Sequence, residues 1–108
     1  MLYRFKSRAT ADLVMLEASG RRVLEILGKD PGAPGILLVA QMPAAVSALQ
    51  EAVRADEAER ERQAREAQDR DEPLPEPADS VTLRMRCAPF IEMVQHSLKE
   101  QADIVWGV

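Results

Sequence analysis

A chain of 108 residues with 46% hydrophobic and 30% charged residues has room for one hydrophobic core and not two, so a single globular domain over 1–108 is expected. The net charge of −4 is unevenly spread: residues 54–80 hold five arginines against ten acids, and the rest holds nine bases against eight acids. That near-neutral remainder lacks the concentrated basic field of a nucleic-acid binder, and the longest apolar run, “ILLVA”, falls far short of the ~20 residues of a membrane helix. No apolar block of signal-peptide length follows the basic opening “MLYRFKSR”, and the lone Cys87 cannot form an internal disulfide. A cytoplasmic location is expected, since both features agree with a reducing compartment.

The stretch “LYRFKS” alternates, with Tyr3 and Phe5 on one side and Leu2, Arg4 and Lys6 on the other, as a strand with one aromatic face does. The short “RATA” joins it to “DLVML”, a second strand that completes a hairpin. This second run is apolar on both sides, Leu13 and Met15 against Val14 and Leu16, so both sides are expected to be covered. “SGRRVLEILG” then reads as a short helix, with Ser19 as N-cap, Val23, Leu24 and Leu27 on one face and Gly28 at the left-handed C-terminal position. After the turns enforced by “KDPGAPG”, “ILLV” is either a third strand or an extended connector.

“MPAAVSALQEAV” is a helix with Pro43 at a first helical position and Val46, Leu49 and Val53 on one stripe. In the following “RADEAERERQAREAQDRDE” alanine is the sole apolar residue type, so that stretch has nothing large to bury. Asp56 with Arg60, Glu61 with Arg65, and Glu66 with Arg70 are acid-before-base pairs at i,i+4, each worth about 0.3 kcal/mol. A helix running into solvent and fraying is expected, ended by “DEPLPEPAD”, whose prolines make a stiff linker. Residues 54–80 are thus expected to be a charged, Pro-terminated helical or flexible insertion.

“VTLRMRC” alternates like a strand, yet Leu83, Cys87, Phe90, Ile91, Val94 and Leu98 form a helical stripe that Thr82 can cap. The helix is preferred because its stripe continues through Leu98, even though Pro89 inside it costs about 3 kcal/mol or kinks it. Finally, “DIVWG” sets Ile104, Trp106 and Val108 on one face of a last strand. Burying the only tryptophan pins this strand beside the N-terminal hairpin, which makes Trp106 a structural anchor. The expected fold is α+β: a small, mostly antiparallel sheet of N-terminal hairpin plus C-terminal strand, packed by two or three helices, with a charged helix extension.

The segments “MLYRFKS”, “GRRVLEILGK”, “QMPAAVSALQEAV”, “LRMRCAPFIEMV” and “DIVWGV” together resemble domain-of-unknown-function family 1840 across nearly the whole chain, residues 54–80 excepted. The resemblance implies a small, bacterial, single-domain protein with no catalytic residues to carry over.

His96, the only histidine, lines up with Glu92 and Glu100 at i−4 and i+4, a spacing open to a divalent metal. The line lies opposite the apolar stripe, so surface pairing is the favoured reading and no metal, cofactor or catalytic residue is assigned. Cys87 has Arg84 and Arg86 nearby, but its place on the stripe favours a buried small hydrophobe over a reactive thiol. Arg4, Lys6 and Arg8 are read as a solvated strand face, not a phosphate track.

Arg21 and Arg22, placed in the first helical turn by a Ser19 cap, are a candidate small-anion site, against the favoured alternative of ion pairs with Glu17 or Glu25. The preferred function is a protein-interaction or regulatory module acting on a protein partner or as a homo-oligomer. Leu2, Val14 and Leu16 mark a sheet face that a second molecule could cover; a helix layer on each side is the rival arrangement. The alternative is a small-anion binder or enzyme near Arg21 and Arg22, with His96 as acid or base.

Overall fold

The computed structural model describes residues 2–70 and 82–107. The elements run β1 (Leu2–Ser7), β2 (Thr10–Leu16), α1 (Glu17–Ile26), β3 (Gly35–Leu37), a 3-10 turn (Val39–Gln41), α2 (Met42–Asp69), α3 (Leu83–Lys99) and β4 (Ile104–Trp106). All strand pairs are antiparallel and the order is β2-β1-β4-β3, so the two chain ends lie side by side in the middle of the sheet. The fold is α+β, with Phe5 opposite Trp106 and Trp106 opposite Gly35.

Alternation in β1 does what the sequence asks of it: Tyr3 and Phe5 are buried while Leu2 and Arg4 are exposed. Every buried side chain of the sheet (Tyr3, Phe5, Met15, Leu37, Ile104 and Trp106) lies on that one side, against the helices. The rings interlock there, with Phe5 edge-on to Phe90 at 4.9 Å between centroids and tilted against Trp106 at 5.8 Å. Trp106 lies over Gly35 so closely that a Cβ on Gly35 would stand 2.5 Å from its Cζ2. This explains why “ILLV” alone does not decide its conformation: the strand begins one residue earlier, on a glycine the tryptophan requires.

Four expectations need correction or completion. The second strand is covered on one side only, since Val14 and Leu16 are exposed; the three helices of the described residues pack together on the other side and none of them forms a second layer. The first helix starts at Glu17, directly after β2 with Leu16 as N-cap, so Ser19 is no cap and Arg21 and Arg22 fall after the first turn. Glu17, not an arginine, meets the positive end of that helix. Gly28 does take the left-handed conformation, at φ 74°.

Third, α3 runs through Pro89, starting from the Thr82 hydroxyl, which accepts from the Met85 amide at 3.2 Å. Proline removes the donor for the carbonyl of Met85, and that residue is exposed, so water can take its place. Fourth, the expected charged extension is present: α2 continues unbroken beyond Arg54 to Asp69. The three expected ion pairs are present, Asp56–Arg60 at 3.0 Å, Glu61–Arg65 at 3.7 Å and Glu66–Arg70 at 3.7 Å. Glu57 adds a bidentate contact to Arg84 of α3, at 2.5 and 3.2 Å, which lowers the Glu57 carboxyl below its ordinary range. The linker “DEPLPEPAD” and Val108 lie outside the described residues.

Substituting Gly35→Ala forces a methyl into the indole, and overpacking of this kind costs about 1–3 kcal/mol. Urea unfolding followed by circular dichroism should show that loss, whereas Gly32→Ala, whose Cβ would meet only the Asp30 carboxylate at 3.3 Å, should lose less.

Candidate functional site

The residues singled out for chemistry are scattered. Arg21 pairs with Glu17 at 3.5 Å on the surface of α1. His96 is exposed near the end of α3 and borders a cavity of about 340 Å³ between that helix and the β1–β2 hairpin, lined also by Asp12, Leu13, Pro89 and Glu92. Neither Arg21 nor Arg22 borders that cavity. Among the described residues no group of three or more His, Cys, Asp and Glu side chains is placed to hold a metal ion.

Cys87 is buried in the core cluster. Burial pushes its thiol up, and the weaker pulls of Arg22 and Arg86 in the other direction do not offset it. Arg86 itself reaches across to α1, donating to the Ser19 hydroxyl at 3.3 Å. A raised thiol pKa makes stability fall with pH: the unfolded thiol ionises from about 8.5 upward while the folded one keeps its proton, so the unfolded state gains. Melting temperatures measured from pH 7.5 to 10 should therefore decline more steeply for the native chain than for Cys87→Ala, and a thiol reagent at pH 8 should leave the folded protein unlabelled.

The residues that the fold does gather are on the uncovered side of the sheet. Leu2 is 58% exposed, Val14 46%, Leu16 71% and Ile36 41%, and Leu38 at the end of β3 is 43% exposed. Leu2 stands opposite Leu16, and Arg4 opposite Val14, so an apolar corner on β1 and β2 adjoins two cations. Val105 links the two halves, pairing with Lys6 on one side and Ile36 on the other. Sequence patterning identified Leu2, Val14 and Leu16; it missed Ile36, Leu38 and Val105 because their strands are three residues long, too short for alternation to show.

Beside Arg4 and Lys6 the face sinks into a depression of about 480 Å³, bounded by Leu2, the Pro31–Pro34 loop and Gly107. The loop is fixed at its start, where the Tyr3 hydroxyl donates to the Pro31 carbonyl at 2.7 Å, and by the Gly32 amide donating to the Asp30 carboxylate at 2.8 Å. Tyr3 and Trp106 also line it; Gly107 has φ 75° and a Cβ on it would come 2.7 Å from the Pro34 Cα, so at that point the depression meets bare backbone. Arg4 is 3.9 Å from Asp12 on the β2 side, and Lys6 has no ion pair among the described residues.

The family model for a domain of unknown function, DUF1840, matches residues 1–106. The chain belongs to this DUF1840 family. No curated protein and no solved structure matches it. Across the DUF1840 match the architecture is the four-stranded sheet with its helices on one side, and among the described residues no helix is long and apolar enough to cross a membrane.

Proposed function

We propose that this DUF1840 chain is a small, non-enzymatic protein-interaction module that takes a partner on the uncovered face of its sheet. The observation that carries this reading is the cluster of large apolar side chains left in solvent there, Leu2, Val14, Leu16 and Ile36, on a layer whose other side carries the core. With strands about 4.8 Å apart and about 3.4 Å per residue, the whole face projects roughly 300 Å², at the lower end of the sizes at which surface patches are often functional. The acidic continuation of α2 serves as a solubilising or partner-reading arm, held rigid by its ion pairs. The same reading places the protein in the bacterial cytoplasm, where Cys87 stays a buried thiol.

Arg21 and Arg22 lend the anion-binding alternative less support, because Arg21 already has its carboxylate and the helix start is acidic. A second copy of the chain is the rival occupant of the sheet face.

A photo-crosslinking side chain placed at Val14 or Ile36 in cells of the native host should give adducts with one partner protein, and one placed at Ser47 on α2 should not. Leu16→Lys should abolish the adducts while leaving stability within about 0.5 kcal/mol, as for an exposed position. Absence of adducts from the sheet face, or equal yields from Ser47, would contradict the proposal.

A further inference from the structure

We infer that the face around Arg4 and Lys6 docks an extended acidic segment of another protein, with carboxylates two residues apart and apolar side chains flanking them. This deepens the interaction reading and rests on it. Three observations support it: a spacing, a width and a charge.

Arg4 and Lys6 are on the same side of β1, two residues and so about 7 Å apart along the strand. An extended chain lying along β4 repeats its side chains on one face at the same interval. Carboxylates at alternate positions therefore meet both cations in register, and the next apolar side chain outward reaches Leu2.

The width selects an extended chain over a helix. On this side β4 carries Val105, with Asp103 before it and the bare Gly107 after it, and the Gly107 end forms the bed of a trough whose banks are Arg4 and Lys6 on β1 and Pro34 ahead of β3. Two strand spacings separate the banks, about 9–10 Å, which admits a strand but is narrower than the 10–12 Å or so of a helix with its side chains. The Tyr3–Pro31 hydrogen bond holds the far bank in place before anything binds, so little ordering is required of the site itself.

Charge selects the acid. The trough has two cations on one bank; Asp12, which pairs with Arg4, stands on the opposite side of Arg4 from it, and Asp103 at the start of β4 already accepts from the Val39 amide at 2.9 Å. A second copy stacked on this face would bring the same basic strand toward its counterpart, and like charges placed together in an interface are costly. An acidic segment supplies the counter-charge, and its apolar flank covers Leu2.

The test is fluorescence polarisation of labelled Leu-Ser-Glu-Ser-Glu-Ser-Leu, which puts leucines and glutamates on one face when extended, against the same peptide with lysine for glutamate, on the whole chain. The glutamate peptide should bind the native protein, more weakly as salt rises, and the lysine peptide should not. Arg4→Glu with Lys6→Glu should weaken the glutamate peptide at least tenfold and make the lysine peptide the preferred ligand, a gain that an unfolded variant cannot show. Equal binding of both peptides to the native chain, or no binding at millimolar concentration, would overturn the inference. So would unchanged affinity in the double variant. If crosslinks from Val14 and Ile36 persist in the double variant, the acidic assignment fails and the interaction face stands; if they trap a second copy of this chain, the acidic partner is likewise refuted.

Discussion

Trp106 packs against Phe5 on one neighbouring strand and over Gly35 on the other, and through this contact the last residues of the chain join the sheet from its centre. Burying a tryptophan removes roughly 150–250 Å² from water, about 4–6 kcal/mol at 25 cal/mol per Å². Ordering three strand residues costs about 1–2 kcal/mol each in backbone entropy, so the indole by itself roughly offsets the fixing of β4. Strand β3 depends on β4 in turn, because its only ladder is the one it shares with that strand. Without the tryptophan the sheet would shrink to the β1–β2 hairpin, and a lone hairpin is marginal in water.

One-sided packing follows from the same arrangement. Phe90 of α3 meets Phe5 from the helix side, and α1, α2 and α3 all contact one another, so the helices close a single core on the side where the rings point. Among the described residues nothing covers the opposite side, which keeps Leu2, Val14, Leu16 and Ile36 in water. The rest of α2 adds nothing to that core cluster, although Ala67 near its end is buried. Its side chains pair with one another along the helix, and the Glu57–Arg84 contact fastens the start of this extension to α3.

Much of this was legible in the sequence for identifiable reasons. The hairpin showed in the alternation of “LYRFKS”, the last strand in its isolated tryptophan, and α3 in a stripe that outlasts the strand-like “VTLRMRC”. The three acid-before-base pairs of α2 were readable because i,i+4 geometry is local. What escaped was set by tertiary structure or by a missing punctuation mark. The first helix begins without a side-chain cap or a loop, so Ser19 drew the boundary to the wrong place and lent Arg21 and Arg22 a position they do not hold. The second strand has apolar residues on both sides, which in a larger protein means two covering layers; here the chain has helices for only one. The trough beside Arg4 and Lys6 depends on how Gly107 and the Pro31–Pro34 loop meet in space, and no periodicity in the sequence carries that.

Acrylamide quenching of the single tryptophan, followed through a denaturant titration, tests the central contact most directly. The account predicts blue-shifted emission that resists quencher until the helices melt, with fluorescence and far-ultraviolet circular dichroism changing in one coincident transition. Red-shifted emission already open to quencher in the folded protein, or a fluorescence transition that precedes loss of the helices, would contradict it.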